Sequence, residues 1–463
     1  MAVSYHDYLK QKLIRHVPTG VTPTALNENL FDWQKSVTEW ALRQGKAAEF
    51  EECGLGKTLQ QMSWASEISC QSNKPVLILA PLAVSKQTHR EGKKFGINIS
   101  VCEMQADVKS GVNITNYEKL GSFDAKSFSG IVLDESSILK SYMGKTKRMI
   151  CDKFKDTPYR LACTATPAPN DLMELLNHAE FLGIMKSSEA LSVWFVADQS
   201  NSGAYKLKGH AENDFWQWVA SWAVCIEKPS DIGYSDNGYI LPKLLEMDEI
   251  VKVDESNEDL TQGFFRDIDM SAAGFFKEKH RTADLRAKKC AELATSSDEQ
   301  YLVWCYTNEE SDMLKKLIPA AVEVRGSDKV ADKEKAAIGF TEGDIRVLIS
   351  KPSIFGYGLN FQNCHNAVFC GLDYSYESYY QAIRRLHRFG QLKPVNAWRV
   401  LGSTEKNILD VINRKQDQKD TMTRSMSVFM KEFQTQNLSG HRLKLDLQKR
   451  VISVPAWIRS ETA

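Results

Sequence analysis

Short apolar runs, set apart by helix-length segments, recur along this 463-residue chain and leave few folds open to it. In the first half they are Val76-Leu77-Ile78-Leu79-Ala80, Ile131-Val132-Leu133 and Leu161-Ala162-Cys163. The second half repeats the theme with Tyr301-Leu302-Val303-Trp304-Cys305, Val322-Glu323-Val324, Val347-Leu348-Ile349, Ala367-Val368-Phe369-Cys370 and Ala397-Trp398-Arg399-Val400-Leu401. Near-continuous runs of this kind belong to strands of a parallel sheet covered on both faces. Segments such as 59–70 between them have the length of a helix, so the pattern is βαβ and the fold class α/β. Ligands should then gather at the carboxyl ends of the strands.

Two α/β lobes follow. The expected division is 1–240 for a first lobe with a helical extension, 241–420 for a second lobe and 421–463 for a tail. The region from about 170 to 297 reads mostly helical, interrupted by the turn formers between Lys228 and Gly238. The tail carries amphipathic charged stretches and a lone Pro455-Ala456-Trp457-Ile458, expected to pack back on a lobe.

Within this frame one loop carries chemistry. Glu52-Cys53-Gly54-Leu55-Gly56-Lys57-Thr58 follows the apolar-rich run Ala47-Ala48-Glu49-Phe50. Its glycines permit the tight, partly left-handed path that turns backbone N–H groups toward a phosphate. Lys57 supplies a cation for terminal phosphates, and the Thr58 hydroxyl suits Mg²⁺. A helix beginning near Lys57 adds its positive end. The strict form of such loops has glycine where this chain has Glu51. Taken alone the loop also suits a kinase or a simple glycine turn.

Partners for the loop lie downstream. Asp134-Glu135 stands directly after Ile131-Val132-Leu133, so both carboxylates emerge at a sheet edge, Asp134 suited to Mg²⁺ and Glu135 to orienting and deprotonating water. Thr164-Ala165-Thr166-Pro167 ends the next run with two hydroxyls placed to sense the nucleotide. Upstream, Gln34 in Leu30-Phe31-Asp32-Trp33-Gln34 offers the donor and acceptor that match an adenine edge. In Gln381-Ala382-Ile383-Arg384-Arg385-Leu386-His387-Arg388-Phe389-Gly390-Gln391, residues Gln381, Arg385 and Arg388 would share one helix face. Two arginines so presented neutralise charge developing on a γ-phosphate, or else form a basic face on solvent or a phosphate backbone. Gly356-Tyr357-Gly358-Leu359-Asn360-Phe361 allows close backbone approach to a ribose or a polynucleotide, or is a turn.

In this order the pieces resemble the helicase superfamily two engine, more narrowly the Swi/Snf-type ATPases and the DEAD/DEAH-box proteins carried by bacteriophages. The resemblance spans roughly residues 28 to 415. It is carried by Gly54 to Thr58, Ala80-Pro81-Leu82-Ala83-Val84, Ile114-Thr115-Asn116-Tyr117-Glu118, Thr164 to Pro167, and Gln381 to Gln391, whose His387-Arg388-Phe389-Gly390-Gln391 ending is closer to the Swi/Snf form. It implies two tandem RecA-like lobes that hydrolyse ATP with Mg²⁺ in their cleft and move along DNA, duplex or single-stranded.

By that resemblance Gln34 reads adenine; Gly54, Leu55, Gly56, Lys57 and Thr58 hold phosphates and Mg²⁺; Gly358 and Gln381 complete the nucleotide site. Asp134 and Glu135 catalyse with Lys57, and Arg385 and Arg388 are the fingers. Pro81, Ser85, Lys86, Thr88, Asn116, Ser350, Lys351 and Gly356 would lie along the nucleic-acid track. The chain departs from the family form at Ser136-Ser137 and at Phe355. Partners in replication or recombination would follow from the phage-like resemblance. An RNA-directed helicase and a nucleotide-gated DNA-binding module remain the alternatives.

Composition bounds these readings. Hydrophobic residues are 43% and charged residues 25%, no apolar run approaches a membrane span, and the N-terminus lacks a signal-peptide pattern, so the cytoplasm is expected, a host's if the chain is phage-encoded. The ten cysteines form no Cys-x-x-Cys pair and read as buried hydrophobes. Lys plus Arg equals Asp plus Glu at 59 each, so a polyanion must be held by a local basic groove. Lys140, Lys145, Lys147 and Arg148 offer such a DNA path, or a solvated helix face.

Overall fold

Fifteen strands form two parallel sheets and one small hairpin in a computed structural model that describes residues 16–81, 84–140, 144–169, 171–198, 205–252, 272–356 and 359–438. The first sheet contains β1 (Lys46–Glu51), β2 (Val76–Ala80), β3 (Ile99–Val101), β4 (Val112–Asn116), β5 (Gly130–Asp134) and β6 (Tyr159–Thr164). A hairpin of β7 (Phe195–Ala197) and β8 (Tyr205–Leu207) stands apart from it, and β9 (Ala223–Ile226) completes the sheet. Its order is β3-β4-β2-β5-β6-β1-β9, all parallel.

The second sheet is built from β10 (Leu244–Val251), β11 (Tyr301–Cys305), β12 (Val322–Glu323), β13 (Val347–Ser350), β14 (Asn366–Cys370) and β15 (Val395–Gly402). Its order is β10-β15-β14-β11-β13-β12, again parallel throughout. Helices cover both sheets, giving the two α/β lobes expected from the apolar runs.

Alternation explains why those runs lack polar positions. Along β2, Leu77 and Leu79 enter one core with Phe50 and Leu133, while Val76, Ile78 and Ala80 enter the opposite core with Trp64 and Val132. Successive side chains point to opposite faces, so a strand buried on both sides has no site for a solvated residue.

The region from 170 to 297 is less helical than expected. β9 takes one edge of the first sheet and β10 one edge of the second, with the hairpin preceding both in sequence. β9 is only Ala223-Val224-Cys225-Ile226, and β10 carries Glu246, Asp248 and Glu249 on a half-buried edge, so neither shows the continuous apolar signature.

Nor does the chain change character at Thr421. The helix Lys406–Leu438 runs straight through that position. Its Ile408, Leu409 and Ile412 join the second lobe's core, whereas Met426 and Met430 join a core of the first. Residues 439–463, with Pro455 to Ile458, lie outside the described residues. Seven cysteines are buried, Cys53 and Cys151 are partly so and Cys70 is exposed. Among the described residues no helix is long and apolar enough to cross a membrane.

Candidate nucleotide site between the lobes

β1 delivers the glycine loop to the carboxyl edge of the first sheet. Gly54 and Gly56 have φ of 89° and 86°, the left-handed region that a side chain resists. A Cβ on Gly54 would stand 2.9 Å from the backbone N of Phe389 in the second lobe, and one on Gly56 would stand 2.4 Å from Gln34 Nε2. Glycine is therefore required here by close approach as well as by dihedral. The helix Lys57–Ser72 starts directly after Gly56, aiming its first free N–H groups at the loop.

Lys57 folds over its own loop, donating to the carbonyls of Glu51 at 2.7 Å and Glu52 at 3.1 Å. Burial alone would lower its pKa, but Cys53, Glu135, Glu51 and Glu52 around it hold the ammonium above its ordinary value. Gln34 is buried, with Nε2 donating to Leu55 O at 2.7 Å and Oε1 accepting from Phe31 N at 2.9 Å. It braces the loop, and each end of its amide keeps one further hydrogen-bonding position.

Beneath the loop, β1 turns two glutamates to the same side. Glu51 accepts from Gln60 Nε2 at 2.8 Å, and Glu49 faces the Cys163 thiol at 3.5 Å. Both are buried, and the second carboxyl oxygen of each has no partner among the described residues. Burial pushes Glu49 up to about 8, with Glu51 adding repulsion, and burial pushes Glu51 up to about 7. The position where glycine is usual thus holds a carboxyl group with a strong tendency to stay protonated.

The acids of β5 sit two strands away, since β6 lies between β5 and β1. Asp134 Oδ1 accepts from Gln61 Nε2 at 2.9 Å, and burial raises its pKa. Glu135 has φ 55° and ψ 57°, one of two non-glycine residues among those described with positive φ. Burial and the neighbouring Asp134 push it up to about 7 against the pull of Lys57 and Arg385. Thr164 ends the intervening β6 with its hydroxyl 3.5 Å from Glu135 Oε2, and it accepts from Thr166 N at 3.1 Å. Ser136 hydrogen-bonds with His178 at 3.1 Å, and burial lowers that histidine to about 4.

From the second lobe the helix Tyr376–Ile383 points toward this edge, but it stops before the arginines. Arg385 and Arg388 therefore do not share a helix face with Gln381; they lie in the turns that follow. Their Nη1 atoms nonetheless converge on one carbonyl, Leu359 O, at 3.0 and 3.1 Å. Arg385 also donates to Gln381 O at 3.0 Å and Gln381 Oε1 at 3.1 Å, and the buried Gln381 Nε2 has no partner among the described residues. Burial, with Arg385 beside it, lowers Arg388 to about 10.

Three residues missed in the sequence join the lobes. Glu377 accepts from Ser137 Oγ at 2.9 Å and Lys140 Nζ at 2.5 Å. Ser137, where the chain departs from the family form, thus hydrogen-bonds across to the second lobe. Glu52 accepts from the Tyr380 hydroxyl and pairs with Arg384 and Lys419, each at 3.2 Å. Burial alone would raise Glu52, yet Arg384 and Lys419 hold it well below the usual carboxylate range. None of these partners forms a local motif with the residue it meets, so no spacing announces them.

Several residues expected along a nucleic-acid track have partners within the protein. Asn116 caps a short helix by accepting from Lys119 N at 3.1 Å. Thr88 bonds back to Val84 O at 3.1 Å, and Ser350 is fully buried against Val324 O at 3.3 Å. Gly356 is dictated by packing, since a Cβ there would meet Pro352 O at 2.2 Å. Phe355 packs edge-on to Phe361 in the core.

Lys140 is engaged by Glu377. Lys147 is buried, with its ammonium on Glu180 at 2.6 Å and Ser187 at 3.2 Å. Of the others, Pro81 is partly exposed, Lys351 donates to Asn308 at 2.7 Å, and Ser85 is buried at the start of the helix Ser85–Lys94, its hydroxyl without a partner among the described residues. Gly358 and the side chain of Lys86 lie outside the described residues.

Known proteins match both halves of this arrangement. The SNF2-related domain matches residues 33–208, and the helicase conserved C-terminal domain matches residues 285–390. Helicase SWR1 of Candida albicans is 28% identical over 238 residues, 46% of this chain and 14% of the relative. The SWI/SNF-related matrix-associated actin-dependent regulator of chromatin subfamily A-like protein 1 of Xenopus tropicalis is 21% identical over 415 residues, 83% of this chain and 43% of the relative. The chain thus spans less than half the length of these two curated relatives. A solved Sulfolobus solfataricus SWI2/SNF2 ATPase core in complex with dsDNA covers 90% of this chain and 98% of its own at 17% identity, with a TM-score of 0.42. The SNF2-related domain followed by the helicase conserved C-terminal domain, on two parallel sheets, supports a Swi/Snf-type ATPase of helicase superfamily two.

Proposed function

We propose that this protein is an ATP hydrolase that couples Mg-ATP turnover in the interlobe cleft to movement along DNA. One observation carries the reading. The glycine loop and the acid pair come from one lobe and a converging pair of guanidiniums from the other, with Phe389 N so close to Gly54 that only glycine fits.

The residues fit the nucleotide and its metal. Thr58 and Asp134 supply the hard oxygen donors that Mg²⁺ takes, and the raised carboxyls of Asp134 and Glu135 are a buried acid pair short of compensating charge. Bound there, the metal would neutralise phosphate charge. The loop amides and Lys57 bind and orient the terminal phosphates, and Gln34 has capacity left for an adenine edge. Glu135 takes the proton of the attacking water. Arg385 and Arg388 balance negative charge that grows in the transition state, exchanging Leu359 O for phosphate oxygens.

The lobe division at about residue 240, duplex DNA as the favoured track, partners in replication or recombination, a cytoplasmic location and kinship with bacteriophage DEAD/DEAH-box proteins belong to the same proposal. A comparison of ATP turnover with duplex DNA, single-stranded DNA and RNA tests it. Stimulation by duplex DNA is expected to be the largest. Stimulation by none of the three, in folded protein, sinks the motor, while RNA alone would transfer the reading to an RNA-directed helicase.

A further inference from the structure

Lys419 is a buried cation on a helix that packs against both lobes. It lies on the helix Lys406–Leu438, which is packed into the second lobe at Ile408 and Ile412 and into the first at Met426 and Met430. Only 7% of its side chain is exposed. Withdrawing an ammonium from water is costly unless it is paired, and an apolar residue would serve helix packing better. The ammonium of Lys419 is spent on Glu52, 3.2 Å away, over the ring of Tyr380 at 4.8 Å.

Glu52 stands at the entrance to the glycine loop and acts in two directions. Its carboxylate gathers Lys419, Arg384 and the Tyr380 hydroxyl, and it accepts from Cys53 N at 2.6 Å. Its backbone carbonyl receives Lys57 at 3.1 Å. Arg384 immediately precedes Arg385, and its guanidinium lies 5.1 Å from the Tyr380 ring centre, so the two cations flank one ring. A single residue therefore touches the phosphate lysine, the arginine segment and the helix that joins the lobes.

We propose that Lys419 is a positioning residue for nucleotide turnover. Through Glu52 it pins the phosphate loop to the arginine segment, so the lobes' closure is registered directly at the loop. Without it, Glu52 keeps Arg384, Tyr380 and the adjacent Cys53 N but loses the helix that joins the lobes, and the loop gains freedom relative to Arg385 and Arg388. This inference rests in part on the hydrolase reading, since its effect on rate presupposes turnover.

The test uses the full chain with Lys419→Met, Lys419→Arg and Glu52→Gln, following ATP kinetics and, without nucleotide, hydrogen exchange of the amides of residues 53–58. For Lys419→Met we expect exchange there to quicken about tenfold, and kcat to fall about tenfold with KM within about threefold, because the arginines act chiefly in the transition state. Lys419→Arg, which keeps a cation for the buried Glu52, should restore both to within about twofold of the unmodified chain. Glu52→Gln should reproduce the Lys419→Met pattern and stands in for it if that variant does not fold. Unchanged exchange in folded Lys419→Met, or a loss that Lys419→Arg fails to restore, overturns the proposal. If the unmodified chain hydrolyses no ATP while Lys419→Met still loosens the loop, the hydrolase reading fails and the latch stands.

Discussion

The hydroxyl of Ser137 donates a 2.9 Å hydrogen bond to Glu377, tying the acidic box of one lobe to the helix that leads into the arginines of the other. Residues 240 positions apart in sequence thus hold the two halves of the nucleotide site in register. A double-mutant cycle of Ser137→Ala and Glu377→Ala on kcat measures that link. The two losses should be non-additive by about 0.5–3 kcal/mol, as for residues in direct contact. Strict additivity would remove the bond from the mechanism.

Lys140 is held by the same glutamate, which bears on DNA affinity. A lysine that neutralises one phosphate contributes about 0.9 to the slope of log K against log salt on duplex DNA. Because its ammonium is already paired, Lys140→Ala is expected to leave that slope unchanged in binding measured across a salt series. A fall close to the full increment would make it a phosphate contact after all.

Glu135→Gln should retain ATP binding and lose turnover. General-base catalysis typically supplies about 10²–10⁴-fold, and the amide is isosteric but cannot accept the proton. Equilibrium binding of a fluorescent ATP analogue, run beside single-turnover hydrolysis, separates the two effects. Turnover at the wild-type rate would remove Glu135 from the role.

Arg286 predicts a purely structural loss. Its guanidinium is fully buried between Glu310 at 2.7 Å and Glu405 at 3.3 Å, with Cys370 O at 2.9 Å. Arg286→Met leaves two carboxylates buried without their cation, a change that costs about 3–5 kcal/mol. The denaturant midpoint should drop accordingly, and a variant as stable as the parent would mean the site relaxes or admits water.

Glu49 predicts a pH dependence of stability. Its folded-state pKa is raised to about 8 by burial, from an ordinary value of 4.5. Between those values the folded chain keeps a proton that the unfolded chain releases. Stability is therefore fullest below about pH 4.5, falls as pH rises toward 8 and is flat above, with a slope of at most about 1.4 kcal/mol per pH unit for one such group. Glu49→Gln should flatten that part of the curve in urea midpoints taken from pH 5 to 8.

Much of this architecture is written locally. β2, β5, β6, β11, β13 and β14 announce themselves because burial on both faces forces near-continuous apolar runs. The glycine loop and the acid pair are contiguous and equally visible. β1 is obscured by Glu49 and Glu51, whose charges look like solvent positions although both are buried. β10 is obscured by the acids of an edge strand. The arginines were assigned to one helix because their spacing fits it, yet the helix ends at Ile383 and the turns beyond it bring the guanidiniums together. Glu52, Glu377 and Lys419 meet their partners in the other lobe or the joining helix across 237 to 367 positions, and no periodicity connects residues that only tertiary closure joins.

The left-handed backbone at Glu135 has an evolutionary side. An ordinary side chain in that conformation costs about 1–2 kcal/mol, which glycine, and to a lesser degree asparagine, would avoid. The carboxyl group it carries is moreover held in a setting that resists its ionisation. The position is thus one where stability and turnover pull in opposite directions. A library of this chain sorted for heat resistance alone should drift toward glycine or asparagine at 135, and its survivors should be robust but inert.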